Sequence, residues 1–314
     1  MKVRKKLKRP SLASVYVHHI AWGIVSLALL AFSAMLWLNN QDIKQQSMSL
    51  EQQLASLQQP SCEARVTWKS NTTKLFTISS QASERSYRVH LPADFDANRY
   101  YPAVFYFPGR GGSSIDGDRS SGVNTLPVIA IYPEPTKGIG GFAWQGAPYS
   151  SPANDVQFVS DILDRVNGQL CIKRDQVYAM GMSNGGGLVS LLSCYLSDRF
   201  TAFGVVGAAF YYPASDCTPK HPRPFISVHG DNDSVVPYNG SFARKLPGIE
   251  QWSARRALDN GCSSRPFVVA RGTETITTWQ FCRDNATVQN IRIHGGKHVW
   301  TADAPTVLWQ FLSR

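Results

Sequence analysis

The sequence predicts an α/β protein whose mainly parallel sheet is covered by helices on both faces, and three observations predict it. Short, near-continuous apolar runs recur at residues 86–91, 103–107, 128–132, 177–180, 202–206, 225–229 and 288–293, the pattern of strands buried on both faces. Segments of helical periodicity lie at 155–167, 186–196, 249–260 and 305–312; in the first, Phe158, Val159, Ile162, Leu163 and Val166 fall on one face behind Asp155. The third observation is Gly181-Met182-Ser183-Asn184-Gly185, set between an apolar run and a helical stretch. This G-x-S-x-G pattern reads as strand, sharp turn and helix, with the serine hydroxyl held out above the sheet.

The 314 residues divide into four parts. Residues 1–19 form a basic segment: six of the ten net positive charges sit in the first nine positions, leaving +4 for the rest. That remainder shows no basic-aromatic stripe, which excludes a nucleic-acid-binding reading. Residues 20–38 carry no charge, and as a helix they would span about 30 Å, enough for a bilayer. Lys and Arg on the N-terminal side place the following chain outside the cytoplasm. A cleavable signal peptide, cut near Ala31-Phe32-Ser33, is the alternative, but Met35, Leu36, Trp37 and Leu38 continue the apolar run past that site. A membrane anchor is therefore expected, with export in either case. Residues 39–60 form a Gln-rich helical stalk in which Ile43, Leu50 and Leu57 recur at seven-residue spacing, too briefly to specify a coiled coil. Residues 61–314 remain as one domain, and nothing in the sequence sets an oligomeric state.

All six cysteines (Cys62, Cys171, Cys194, Cys217, Cys262 and Cys282) follow the expected anchor, as suits disulfides in an oxidising compartment. Without a C-x-x-C pair, no zinc site is expected. Six cysteines allow fifteen pairings; Cys262 with Cys282 is the pairing expected here, since the stretch between them reads as a small hairpin. Four glycosylation sequons, at Asn71, Asn232, Asn239 and Asn285, read as fortuitous, because a glycan near the acid-bearing loop would obstruct it.

In a parallel sheet, ligands bind at the carboxyl ends of the strands, where residues 108–112, 183–185, 230–238 and 295–300 fall. Residues 108–126, rich in Gly, Ser and Asp, read as a flexible loop beside them. A serine hydroxyl needs an adjacent base, itself oriented by a carboxylate. Among the histidines after Ser183, His221 lies in a Pro-rich loop and His229 ends a strand. His298 is the expected base, reaching Ser183 from beyond Gly295-Gly296-Lys297, and His294 is the alternative. Asp231 and Asp233 are both candidates for the acid. The oxyanion of an acyl-transfer reaction needs two preorganised N–H donors; the backbone amides of Asn184 and Arg110 are expected to supply them. No phosphate-binding Gly-Lys-Ser/Thr accompanies the glycines at 109–112. No cofactor and no metal is expected.

Four segments in order resemble the polyhydroxybutyrate-depolymerase and feruloyl/acetylxylan-esterase group of α/β hydrolases. They are Cys171-Ile172 leading into 177–186, His229-Gly230-x-x-Asp233-x-x-Val236-Pro237-Tyr238, Trp252 through Asn260-Gly261-Cys262 and Trp279 to Cys282, and Gly295-Gly296-Lys297-His298-Val299-Trp300. The resemblance spans about residues 85–312 and implies an α/β-hydrolase fold. It selects Asp233 over Asp231 and implies metal-free hydrolysis of hydroxyalkanoate, feruloyl or acetyl esters, small or polymeric. Where the family usually has His-Gly, this chain has Pro108-Gly109; proline lacks a donor, but Arg110 keeps its N–H. Trp300 is the expected substrate-binding aromatic, with Trp144 and Trp252 as further candidates. A non-catalytic binding protein on the same fold is the alternative reading, and a serine peptidase a more remote one.

Overall fold

The computed structural model describes residues 33–51 and 62–314. Residues 1–61 and Cys62–Arg314 are separate units. In the first, residues 33–51 form a helix, α1. It includes positions 33–38 of the expected span and the heptad residues Ile43 and Leu50; positions 20–32 and Leu57 lie outside the described residues. Among the described residues, no helix is long and apolar enough to cross a membrane.

The second unit opens with an antiparallel pair, β1 (Thr73–Ser80) and β2 (Ser83–His90), followed by β3 (Tyr101–Phe107). A short helix, α2 (Ser114–Ser120), a 3-10 turn and β4 (Ile129–Pro133) come next, then a small hairpin of β5 (Thr136–Gly138) and β6 (Gly141–Ala143). The chain continues through α3 (Asp155–Asn167), β7 (Ile172–Met182), α4 (Ser183–Tyr195), β8 (Ala202–Val206) and β9 (Phe225–Gly230). Helix α5 (Ile249–Asp259), the hairpin β10 (Phe267–Arg271) and β11 (Glu274–Trp279), then β12 (Val288–Ile293) and α6 (Ala304–Leu312) complete it.

The ten-stranded sheet has the order β1-β2-β4-β3-β7-β8-β9-β12-β11-β10. Its centre, β4 through β12, is parallel, and both margins are antiparallel. The period-2 alternation of β3 shows why both faces need covering. Ala103, Phe105 and Phe107 join a core with Val159 and Ile162 of α3 and Leu188 and Leu192 of α4. Val104 and Tyr106 point the other way, into a core closed by Leu308, Phe311 and Leu312 of α6. The five apolar residues expected on one face of α3 are all buried, and the N-cap is Asn154, whose side chain accepts from the Gln157 amide. Asp155, one residue inside, is buried against Arg85 at 2.8 Å.

The stretch read as a flexible loop, 108–126, is instead ordered by α2. Ser113 and Asp116 form a reciprocal capping box at its start, which satisfies amides that a short helix would otherwise leave open. Three disulfides join Cys62 to Cys171, Cys194 to Cys217, and Cys262 to Cys282, the last bracketing the β10–β11 hairpin.

Candidate active site

Because β3, β7, β8, β9 and β12 run parallel, the segments that follow them emerge at one edge of the sheet. Ser183 stands where β7 turns into α4. Its φ of 53° is left-handed, a conformation that costs a non-glycine residue about 1–2 kcal/mol. Helix α4 begins at Ser183 itself, three residues ahead of the helical stretch read from the sequence. The turn closes so tightly that a Cβ on Gly185 would lie 2.1 Å from the Phe107 carbonyl oxygen. Any side chain there would push β3 and α4 apart.

Asp233 and His298 are brought into contact, Oδ2 to Nδ1, at 2.7 Å. Two loops achieve this by bonding to each other. The Asp231 amide donates to the Ile293 carbonyl and the Asn232 amide to the Gly296 carbonyl. The other carboxylate oxygen of Asp233 accepts from the amides of Val235 and Val236, at 2.8 and 2.7 Å. His229 Nε2 lies 3.2 Å from Asp233 Oδ2 and 2.8 Å from the Val236 carbonyl. Burial pushes the Asp233 carboxyl up, but the hydrogen bonds from His229, the Val236 amide and His298 outweigh it, lowering it to about 2. It is an anion throughout the neutral range.

The alternatives His294 and Asp231 contact one another instead. His294 Nδ1 is 3.0 Å from Asp231 Oδ2, which also takes Arg292. His221 donates its amide to Ser197 Oγ.

Ser183 and His298 flank the same turn after β8. The Ala209 amide donates to the Ser183 carbonyl at 2.9 Å, and the His298 ring sits over Gly207, where a Cβ would be 3.1 Å from Nδ1. With Nδ1 on Asp233, Nε2 is the ring nitrogen left to exchange a proton with a hydroxyl. His298 is 14 % exposed and Asp233 fully covered at the side chain, so the pair is screened from water with one edge open. The turn after β8 was not singled out from sequence; His229 was read as ending a strand and opening the acid-loop motif, without its contact to Asp233.

The amide of Asn184 lies in the first turn of α4, where an N–H has no intrahelical acceptor. Gly109 lies across from it, a Cβ there being 3.2 Å from that of Ser183. The next amides along are spoken for: Gly111 donates to the Phe142 carbonyl and Gly112 to the Gly109 carbonyl. The Arg110 side chain turns away, donating to the Ile139 carbonyl at 2.9 Å and lying 4.2 Å over the Tyr149 ring. Pro108 contributes through its carbonyl, which accepts from Trp144 Nε1 at 2.9 Å. That use requires no N–H, so the missing proline donor leaves this anchor of the loop intact.

The three tryptophans have different surroundings. Trp144 is fully buried, edge-on to Phe107. Trp252 is 6 % exposed and stacked on Phe210 at 3.8 Å. Both belong to the core. Trp300 is half-buried, donates to the Ser121 carbonyl at 2.9 Å and packs edge-on to Tyr106. Among the described residues, no His, Cys, Asp and Glu cluster could hold a metal ion.

No protein-family model matches the chain. It is 26% identical over 233 residues to feruloyl esterase B of Piromyces equi, covering 67% of this chain and 42% of that protein; the chain thus spans less than half the length of that relative. It is 27% identical to a probable feruloyl esterase C of Aspergillus niger, covering 74% of this chain and 84% of the relative. Among solved structures, an acetyl xylan esterase from Aspergillus awamori superposes with a TM-score of 0.60 at 15% identity, covering 76% of this chain and 99% of that one. A CE1 ferulic acid esterase from Anaeromyces mucronatus, in complex with ferulic acid, gives 0.51 at 16% identity, covering 79% and 93%. At such identities, the structural likeness speaks for the fold.

Proposed function

We propose that the chain is a feruloyl- and acetylxylan-esterase-like carboxylic ester hydrolase acting through Ser183, His298 and Asp233, a reading supported by its relatives and by its α/β-hydrolase-like fold. The observation that carries this reading is the 2.7 Å contact between His298 and Asp233 beside the turn that also bonds Ser183. In the proposed reaction, Ser183 Oγ attacks the ester carbonyl carbon while its proton passes to His298 Nε2. The Asp233 anion steadies the imidazolium that forms. The oxyanion is met by the amides of Asn184 and Arg110, each such donor typically worth about 3 kcal/mol of barrier. Collapse expels the alcohol, which takes the proton from Nε2, and leaves Ser183 acylated. Water, deprotonated by the same imidazole, then releases the acid.

Feruloyl and acetyl esters are the proposed substrates, in line with the names of the relatives, with hydroxyalkanoate esters as a further class to test. Trp300 is proposed to border the acyl site with the face its Tyr106 contact leaves open. The disulfides suit a unit outside the cytosol. The basic cluster and the apolar run at 20–38 support tethering it to a membrane.

The test is turnover of p-nitrophenyl acetate, methyl ferulate and a hydroxybutyrate ester by the full chain. Acetate or ferulate turnover is expected, with at least about a thousandfold loss in Ser183→Ala. A well-folded protein that cleaves none of the three would contradict the reading.

A further inference from the structure

A concavity of about 1170 Å³ lies between α5 and the segments 212–217 and 239–248, and its lining does not include Ser183, Asp233 or His298. Small-molecule pockets usually enclose roughly 300–1,000 Å³, so this groove suits a ligand several units long. It is linked to the active site by one run of chain: Ala209 bonds Ser183, Phe210 stacks on Trp252 of the groove wall, and Tyr212 forms its edge.

Arg256 lines this groove and is only 3 % exposed. It forms no ion pair among the described residues; its two terminal nitrogens lie 3.5 and 3.4 Å from the sulfur of Cys194, a weak acceptor, and its Nε has no hydrogen-bond partner. The guanidinium carbon sits 5.0 Å from the centre of the Trp252 ring. Burial pushes the Arg256 guanidinium down to about 10. Asp259, the carboxylate that acts on it, is hydrogen-bonded to Arg255 at 3.1 Å. A buried cation whose partners are only a sulfur and a ring face is costly, and an incoming carboxylate would repay that cost with a charge-assisted hydrogen bond. The lining carries three cations, Lys245, Arg255 and Arg256, against two carboxylates, Asp216 and Asp259. On the edge, Tyr212 is 57% exposed and Phe242 fully exposed, offering ring faces of the kind on which sugars stack.

We propose that this groove binds an acidic oligosaccharide, with Arg256 donating to the carboxylate of a uronic acid unit and the rim aromatics carrying the neighbouring sugars. The proposal rests on the esterase reading and deepens it, by naming the alcohol side of a polymeric substrate.

The test is calorimetric binding to the full chain carrying Ser183→Ala, so that binding is read without turnover. The probes are a xylotetraose bearing one glucuronate, neutral xylotetraose, free glucuronate and a tetra-aspartate peptide. The acidic oligosaccharide is expected to bind at least tenfold more tightly than any of the other three. Adding Arg256→Met is expected to abolish that preference, and adding Phe242→Ala to weaken both oligosaccharides at least fivefold. Since Phe242 is exposed, its variant keeps the proposal falsifiable if Arg256→Met fails to fold. Equal affinity for acidic and neutral oligosaccharides, tighter binding of the peptide, or no effect of Phe242→Ala would overturn the proposal. Acidic-oligosaccharide binding in a protein inert to all esters would sink the esterase reading alone.

Discussion

The carboxamide of Asn184 grips the backbone of Trp144 from both sides: its Oδ1 accepts from the Trp144 amide at 2.7 Å, and its Nδ2 donates to the Trp144 carbonyl at 3.3 Å. Trp144 in turn bonds the Pro108 carbonyl. The residue proposed to supply one oxyanion donor through its backbone therefore uses its side chain to fix the loop proposed to supply the other.

Asn184→Ala would leave the buried Trp144 amide unsatisfied. A loss of about 1–3 kcal/mol in stability is expected, measured by denaturant unfolding. At least a tenfold fall in kcat, with a smaller change in KM, should accompany it, because a displaced 108–112 loop weakens stabilisation of the transition state rather than of the bound ester.

Gly207 carries two constraints, a φ of +55° and the His298 ring at its back. Gly207→Ala is expected to cost about 1–2 kcal/mol from the backbone alone, and to displace His298 from its place. Turnover should fall by more than the stability change explains, as read by kcat on protein shown to be folded by circular dichroism.

The strain at Ser183 separates folding from chemistry. Both Ser183→Ala and Ser183→Gly should be inert toward esters. Glycine accepts a left-handed φ that alanine resists, so the glycine variant should be the more stable of the two by about 1 kcal/mol. Paired thermal unfolding curves measure this directly.

Asp233 links the site to pH. Its carboxyl, lowered to about 2 in the folded protein, has an ordinary value near 3.9 when unfolded. The folded state thus holds the anion more firmly. The resulting stability, on the order of 2 kcal/mol, is fully present above pH ~4 and lost as pH falls through ~2. Wild type should exceed Asp233→Asn in stability by a margin that is constant above pH ~5 and shrinks in acid. A margin that grows on acidification would contradict the assigned direction.

The parallel centre of the sheet was legible because β3, β7, β8 and β9 are buried on both faces and so read as apolar runs. At the margins, β2 was read at 86–91 and the stretch holding β10 and β11 only as a small hairpin, while β1 was missed. β1 (TKLFTISS) carries polar residues on its open face, and β10 and β11 lie at an edge where Phe267, Val268 and Val269 are exposed. Helix α2 hides in a Gly- and Ser-rich stretch, since its capping box uses Asp116 where a glutamate is the stronger signal. Within the site, position after a strand end pointed to Ser183 and His298, whereas Asp231 and Asp233 share one loop and only the family resemblance singled out Asp233. The tie from Asn184 to Trp144 spans forty residues, and nothing local announces it. Arg256 likewise reads as one more exposed helix charge until tertiary packing buries it.

The proposed catalytic role of Ser183 is tested most directly by labelling the folded protein with a fluorophosphonate and locating the adduct by mass spectrometry. A single phosphonylated residue at Ser183, with labelling lost in His298→Ala, is the predicted result. A stable, folded protein that takes no label, or takes it at another serine, would contradict the account.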